Sequence, residues 1–448
     1  MANVNLVLIV HSIDTEGPLY ESLGAKFERL KDLYGLTDIE PTAANLHRLQ
    51  RGEIDLGGLE KQVALTLSGH LTNYNDTWDK IDAMLERVMD PAFRSKVPDS
   101  FGGGWVYNWF CLDHVGYDYN PRRRDIGYHN IFDHYRGMIE RTGSHQDGLH
   151  WHFHPMSIYR EAHRCATSYL NSPELCQILC RKIIERRWFP AAFRAGFQTE
   201  RPDSHWFLEQ WIPFDISNMA VDDPTEFDRA IDFRKGRSGD WRLAPSDWSM
   251  YQPSHDNYQL PGNCRRWIAR ALNVMSRIAS IDQREMDKAF ARASSGKPTV
   301  VGVAGHDYRD LGKEVEFLRE LILESSRRYP DVKFKYCDAV EAFRAVVCPE
   351  WTPRPTLELD VVLRENPPDD VPHLEVIARS GKVFGPQPFL AIETRGRRFI
   401  HDNFDFATSP GRWYYAFHAD TLPLSDISRI GVAANDCYGN TIVKTLTV

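Results

Sequence analysis

Long apolar runs are missing from this 448-residue chain. No stretch approaches the ~18 apolar residues that a helix needs to cross a bilayer. The apolar run at residues 6–10 is too short for the core of a secretory signal, and no basic segment precedes it. These absences predict a cytoplasmic protein with no transmembrane segment.

Cysteine pairs and basic tracts are missing as well. The eight Cys form no Cys-x-x-Cys pair, which predicts reduced thiols, most of them in the core. Asp and Glu together outnumber Lys and Arg by 62 to 54, and no polybasic block occurs. With a formal net charge of −8, neither nucleic acid nor an anionic membrane surface is an expected partner.

Short apolar segments alternate with segments of helical period over roughly the first 345 residues. This alternation predicts a parallel sheet, and seven or eight repeats of it predict an α/β fold of the distorted (β/α)7-8 barrel type. A doubly wound open sheet is the alternative, but no Gly-x-Gly-x-x-Gly follows the first strand. The predicted strands are 5–11, 63–67, 105–112, 148–153, 189–194, 212–218 and 299–304. The predicted helices are 76–88, 172–187, 264–278 and 311–328.

The chain changes character at residues 348–355, where three Pro in eight residues predict a stiff connector. Beyond it, apolar and polar residues alternate at period two, and Gly, Pro, Asn and Asp fill the gaps. This pattern predicts a small antiparallel β-sandwich at 352–448, following a barrel at 1–347 that carries an insertion around 90–146. The period-two segments are 356–364, 374–379, 389–394, 412–418 and 441–448.

Three His stand at two-residue spacing in the segment Gly-Leu-His-Trp-His-Phe-His-Pro, which spans residues 148–155. Side chains two residues apart share one face of a strand, and neutral imidazole is the commonest metal ligand near pH 7. His150, His152 and His154 are therefore candidate metal ligands. Ordinary packing at a strand end is the alternative.

Carboxylate, guanidinium and imidazole groups end other predicted strands. The first strand runs into Asp14 and Glu16, at the end where parallel barrels keep their active sites. Arg194 stands where it could orient a carboxylate, and His306 follows the last strong strand, where it suits general acid chemistry. Taken singly, each of these residues also fits a plain structural role in a turn or a surface ion pair.

In this order the motifs resemble those of the NodB-like polysaccharide deacetylase superfamily, which includes carbohydrate esterase family four. The chain presents Asp14, the His-rich segment, Arg194, Asp215 within Phe-Asp-Ile-Ser, and His306 in the family's sequence. The resemblance covers roughly residues 1–345. It implies a distorted seven- or eight-stranded barrel with one divalent metal ion, Zn²⁺ being the expected one, held by an Asp and two His.

The first motif departs from the adjacent Asp-Asp of the family, because one residue separates Asp14 from Glu16. The resemblance makes Asp14 the metal ligand, and Glu16 is then the nearest carboxylate for the general base. Arg194 would hold the base ionised, and His306 would protonate the leaving amine. Asp215 is the further catalytic candidate.

Two different pairs among the three His could be the metal ligands. The family register, anchored on the flanking Gly and Pro, selects His150 and His154. In an extended chain those two lie ~13 Å apart at ~3.3 Å per residue, too far for one ion. His152 and His154 face the same side, so this pair is preferred, and His150 is kept as the alternative ligand or as a partner of the ligands.

The predicted insertion at 90–146 is rich in Trp, Tyr, His and Arg, which predicts a cover for a polar sugar over the barrel mouth. An Arg-rich surface loop is the alternative. The candidate substrate contacts are Trp105, Asn108, Asp113, Arg122 and, from the Asp215 motif, Ser217.

The resemblance implies a metal-dependent N-deacylase that removes an acetyl group from an amino sugar. A cytoplasmic enzyme does not meet finished cell wall, so we expect a nucleotide- or lipid-linked precursor of a surface polysaccharide such as O-antigen. A metal amidohydrolase or esterase for another small acylated compound is one alternative. A degenerate barrel that binds sugar without turnover is another, and the missing Asp-Asp favours it. The oligomeric state is left open, a homo-oligomer included.

Overall fold

The computed structural model describes residues 5–161, 164–225, 239–348, 356–368 and 371–448. Its first element, β1 (Leu6–Thr15), is rich in aliphatic residues and buried almost throughout. Such runs suit parallel strands that are covered on both faces. Seven further parallel strands are β2 (Tyr107–Cys111), β3 (Gly148–Phe153), β4 (Ala192–Ala195), β5 (Phe214–Asn218), β6 (Trp267–Asn273), β7 (Thr299–His306) and β8 (Lys333–Tyr336).

Strand β1 closes the sheet into a barrel. The strand order is β2-β3-β4-β5-β6-β7-β1, and β1 also pairs with β2. The second half of β1, from His11, pairs with β2, whereas its first half pairs with β8. The result is a closed barrel of seven parallel strands with β8 beside the start of β1. The predicted α/β barrel is thus confirmed in general terms, while its NodB-like character stays a prediction.

Helices surround the barrel, and several begin at a capping side chain. Ser22, Thr77 and Asp282 each accept a hydrogen bond from a backbone N–H in the first turn, which satisfies an otherwise unpaired donor. None of the helices in the described ranges has the length and apolar character needed to cross a membrane. The helices are α1 (Leu23–Tyr34), α2 (Ala43–Gln50), α3 (Glu60–Thr66), α4 (Gly69–Thr72), α5 (Trp78–Met89), α6 (Pro91–Ser95), α7 (Asn130–Thr142), α8 (Glu174–Arg186), α9 (Pro202–Trp211), α10 (Gln283–Ser294), α11 (Leu311–Arg328) and α12 (Ala339–Val347).

Side chains along the barrel strands alternate between an inner and an outer apolar cluster. In β1, Leu8 and Val10 join the inner cluster, whereas Ile9 packs outward among the helices. Phe343 of α12 belongs to the inner cluster and closes the foot of the barrel. Towards the carboxyl end of β1 the inner face becomes polar and ends at Asp14, so the fold concentrates polar side chains at the barrel mouth.

Eight further strands form two antiparallel sheets between Glu358 and Thr447. The strand orders are β13-β14-β10-β9 and β12-β11-β15-β16. Leu374 of one sheet and Ile392 of the other belong to one apolar core, so the sheets face each other. The strands are β9 (Glu358–Arg364), β10 (His373–Ser380), β11 (Phe389–Thr394), β12 (Phe399–Asp402), β13 (Asp405–Phe406), β14 (Arg412–Ala416), β15 (Ile427–Asn435) and β16 (Thr441–Thr447).

The sheet β12-β11-β15-β16 packs against α8 of the barrel. Phe389 and Ala433 share an apolar cluster with Ile183 of that helix. Asn435 donates from Nδ2 to the carbonyl oxygens of Pro190 and Trp211, at 2.8 and 2.9 Å. Because these contacts are buried and polar groups are paired across them, the second unit is firmly attached to the barrel wall.

Two predicted elements are of the wrong type. Residues 63–66 of the predicted strand 63–67 belong to the helix α3, and residues 264–278, predicted as a helix, contain the strand β6. Short apolar segments do not distinguish helix from strand, and β6 lacks alternation because both its faces are buried. The predicted insertion at 90–146 contains β2 and α7, so it is part of the barrel. Most of the predicted connector, 349–355, lies outside the described residues, as does the predicted start of the second domain at 352.

Candidate metal and catalytic site

The carboxyl ends of four barrel strands bring predicted residues together. The pairing of β1 with β7 sets Asp14 beside His306. The pairing of β3 with β4 sets His152 beside Arg194. Because parallel strands of one barrel end at the same rim, these side chains meet at the barrel mouth.

Glu16, His152 and His154 form a group that could hold a metal ion. Each offers one ligand atom, and these atoms lie within 4.8 Å of one another. His152 Nδ1 lies 2.8 Å from the carbonyl oxygen of Arg194, so Nδ1 carries the proton and Nε2 offers a lone pair. That Nε2 lies 2.9 Å from Nε2 of His154. Burial lowers the pKa of both imidazoles to about 4, so both are neutral at pH 7.

Glu16 is held in place from two loops. Arg124 donates from Nη2 to Oε2 over 2.5 Å, which leaves Oε1 3.7 Å from Nε2 of His154. Asp307 accepts hydrogen bonds from the backbone N–H groups of Glu16 and Gly17, at 3.0 and 2.8 Å. Burial would raise the pKa of Glu16, but Arg124 and the nearby imidazoles hold it well below its usual value. The carboxylate is therefore ionised and fixed in direction.

Asp14 is bound by Arg194 and lies outside the group of ligand atoms. Arg194 donates from Nε to Asp14 Oδ1 over 2.7 Å and from Nη1 to the carbonyl oxygen of Ile216 over 3.0 Å. Both charged side chains are buried. Burial raises the pKa of Asp14, while Arg194 acts in the opposite direction. Between the two carboxylates, the geometry favours Glu16 for binding an ion.

His306 faces both carboxylates from the last strand of the barrel. Its Nε2 lies 3.9 Å from Asp14 Oδ2 and 3.9 Å from Glu16 Oε1. Its side chain is 19% exposed and that of His154 is 12% exposed, more than the other groups of the site. Phe197 lies with its ring centroid 5.2 Å from that of His154 and is 39% exposed. A ligand would thus reach the site past His306, His154 and Phe197.

His150 lies at the other end of the barrel. Its Nε2 is 3.0 Å from Oδ1 of Asn108 and 3.0 Å from Oδ2 of Asp338. Asn108 in turn accepts from the backbone N–H of Ala339 at the start of α12. The structure therefore brings His152 and His154 together with Glu16 and places His150 at the foot of the barrel.

Asp215 is directed away from the mouth. Its neighbours Phe214 and Ile216 belong to the inner cluster, whereas its own carboxylate is paired with Arg266. Arg266 also donates to Glu200 over 2.7 Å. The predicted strand is present, but the side chain of Asp215 lies on the face away from the mouth, because neighbouring residues of a strand point to opposite faces.

The five residues predicted to contact substrate make internal contacts instead. All are buried or largely buried, so their polar groups serve the fold and are not offered to a ligand at the mouth. Their partners are His11 for Trp105, Cys337 and Ala339 for Asn108, Lys182 and His129 for Asp113, Glu21 for Arg122, and Ala195 for Ser217.

Two residues at the site were not foreseen in these roles. Arg124 binds Glu16, and it belongs to a run of three Arg from which the sequence offered no way to choose. Asp307 accepts hydrogen bonds from the backbone after β1, and this role was not predicted for it. Its position next to His306 was the available signal.

Comparison of the chain with models of protein families, with curated proteins and with solved structures gives no match. The resemblance to the NodB-like superfamily is therefore carried by the motifs alone and stays a prediction.

Proposed function

We propose that the chain is a metal-dependent hydrolase that removes an N-acyl group, in the first instance acetyl, from an amino sugar. The observation that carries this proposal is the group Glu16, His152 and His154 beside the Arg194–Asp14 pair at a barrel mouth. Two neutral imidazoles and a carboxylate form a donor set suited to Zn²⁺. In keeping with the predicted location, the substrate would be a nucleotide- or lipid-linked precursor of a surface polysaccharide in the cytoplasm.

The donor atoms fit a cation. His152 Nε2 offers a lone pair towards His154 Nε2 at 2.9 Å, and a shared positive ion would relieve the approach of two neutral imidazoles. Arg124 occupies one oxygen of Glu16 and leaves the other for the same position. A bound divalent cation supplies Lewis acidity and makes water more acidic.

Asp14 is suited to take the proton from the attacking water. Its Oδ1 is fixed by Arg194, so Oδ2 is the oxygen left for proton transfer. A raised pKa brings a carboxyl group closer to the working range of a general base. In the proposed assignment Glu16 holds the ion and Asp14 is the base, the reverse of the roles that the sequence predicts.

His306 is suited to pass that proton to the leaving nitrogen. Its Nε2 lies near both carboxylates, and its side chain is among the more exposed of the site. An amide nitrogen must be protonated before it leaves as an amine, so a positioned acid is needed on that side. The same residues would serve an ester or another small amide, which is why the bond cleaved must be tested.

The direct test is release of acetate from N-acetylated and O-acetylated amino sugars by the metal-loaded chain. Turnover of an N-acetyl sugar that stops on chelation and returns with Zn²⁺ is the expected result. His154→Ala is the matched control, and it should neither hold metal nor turn over. A chain that holds stoichiometric metal and binds these sugars but releases no acetate from any of them would be a binding barrel, and the proposal would be wrong.

A further inference from the structure

A cavity lies at the foot of the barrel, at the start of β3. It measures about 380 Å³, is open to solvent and is lined by the start of β3, the loop after α8, the start of α12 and the loop between β15 and β16. Its polar lining includes His150, Arg187 and Asp338, and Trp188 supplies an aromatic wall. Since the β15–β16 loop belongs to the second unit, both units of the chain contribute to this cavity.

The cavity presents the carboxylate of Asp338 beside the imidazole of His150. His150 Nε2 lies 3.0 Å from Asn108 Oδ1 and 3.0 Å from Asp338 Oδ2, both of which can only accept, so Nε2 carries the proton. The other ring nitrogen, Nδ1, has no hydrogen-bond partner among the described residues. His150 is only 4% exposed, so this unpartnered nitrogen belongs to a nine-tenths buried side chain that lines the cavity.

Gly148 makes this arrangement possible. A Cβ at that position would lie 2.0 Å from Asp338 Oδ2 and 2.3 Å from His150 Nε2. Such distances are far below contact, so any other residue would separate the imidazole from the carboxylate. The pair is therefore a built feature of the cavity floor.

Arg187 supplies a positive charge, opposite to that of the Asp338 carboxylate. It ends α8 in a left-handed conformation with φ 52°, and its side chain is exposed and forms no ion pair with any described residue. A guanidinium has five donors and recognises carboxylates through them. The cavity thus combines a carboxylate, which can accept from a cationic donor, with a guanidinium that can donate to an anion.

We propose that this cavity binds a small zwitterion that carries an ammonium group and a carboxylate, namely a free α-amino acid. The ammonium group donates to Asp338, and the carboxylate accepts from Arg187. The volume lies in the range of small-molecule sites. This inference does not depend on the hydrolase activity at the mouth.

The test is calorimetric titration of the full chain with glycine, L-leucine and L-glutamate up to about 10 mM, which covers millimolar affinities. Acetate and methylammonium serve as probes that carry one of the two charges each. At least one amino acid should bind saturably, with both single-charge probes at least about tenfold weaker. Absence of saturable binding by all three amino acids would overturn the proposal.

Variants locate the binding. Arg187→Ala and Asp338→Asn should each weaken it by at least about tenfold. Asn is as good an N-cap as Asp, so Asp338→Asn keeps the start of α12. Arg186→Ala is the matched control, because Arg186 is paired with Asp133 and does not line the cavity.

His154→Ala separates this cavity from the mouth, where an amino acid could chelate a bound ion. Binding should be unchanged in this variant. Binding that is lost in His154→Ala, or that is indifferent to both Arg187→Ala and Asp338→Asn, would show that the amino acid does not occupy the foot of the barrel.

Discussion

Arg194 donates from its side chain to Asp14 and accepts at its backbone oxygen from His152, at 2.7 and 2.8 Å. One residue of β4 thus positions both a carboxylate and an imidazole of the site. The first contact holds Asp14 against Arg194, and the second directs Nε2 of His152 towards His154. Asp14 is therefore kept out of the group of possible metal ligands, to which Glu16 belongs. In the proposed function Asp14 moves a proton and Glu16 binds the ion.

The exchange of roles between the two carboxylates can be tested by a pair of substitutions. Asp14→Asn should keep stoichiometric Zn²⁺ and lower kcat by roughly 10²–10⁴-fold, the usual size of a general-base contribution. Glu16→Gln should lose tight metal binding, because a neutral amide replaces the ionised ligand. The two variants are distinguished by their metal content, measured by elemental analysis, and by their rates of deacetylation. The opposite pattern would restore the assignment that the sequence predicts.

Arg124 should control metal affinity without touching the ion. Arg124→Ala removes the partner of Glu16 Oε2, and loss of such a supporting contact typically weakens metal binding by 10–100-fold. Arg123→Ala is the matched control, because Arg123 lies over the ring of Tyr20, with its Cζ 4.0 Å from the centroid. Competition with a chelator measures both affinities. Equal affinities in the two variants would show that Arg124 has no such role.

Most of the barrel could be predicted from periodicity. The bounds of β3 (Gly148–Phe153) and α11 (Leu311–Arg328) agree with the predicted ranges, because an alternation of His with apolar residues and a long amphipathic pattern are each distinctive. Strand β6 was missed for a physical reason. Arg270 gives it a polar position, but this Arg is buried and donates to the carbonyl oxygen of Ala220, so the apparent polar face is internal.

The candidate site could be predicted only as far as strand ends determine it. Asp14, His152 and Arg194 meet because parallel strands end at one rim. The arginine that reaches Glu16 depends on a loop in which Arg123 adopts φ 54° and Arg124 is held by the side chain of Asn120. Such a loop conformation is a tertiary property that no local pattern encodes.

Asp215 should contribute to stability and not to catalysis. Its carboxylate neutralises Arg266 in a buried cluster, and removing one partner of such a pair typically costs about 3 kcal/mol or more in the free energy of unfolding. Asp215→Asn should therefore lower stability in urea denaturation while the folded fraction keeps its kcat. Asp256→Asn, at an exposed ion pair with His255, is the control with little expected effect. A large loss of kcat at unchanged stability would return Asp215 to the catalytic residues.

The buried His205 should make stability depend on pH. Burial lowers its pKa from 6.5 to about 4, and Arg266 donates to its Nδ1 over 3.0 Å, which requires a neutral ring. The unfolded chain therefore binds this proton first, so the stabilisation is present above pH 6.5 and is lost as the pH falls towards 4. Urea denaturation at pH 7 and pH 5 should show a larger loss for the wild type than for His205→Gln. Equal losses would mean that other groups account for the pH dependence.

The three clustered His should fall into two classes by metal content. His152 and His154 share the mouth with Glu16, so replacing either with Ala should abolish tight Zn²⁺ binding. His150 contacts Asn108 at the foot of the barrel, so His150→Ala should retain one ion per chain. It should be less stable instead, because a buried hydrogen bond is lost, at a cost of about 1 kcal/mol. Elemental analysis gives the metal content of all three variants, and thermal unfolding gives their stability. Loss of metal confined to His150→Ala would overturn the choice of His152 and move the ion away from the mouth.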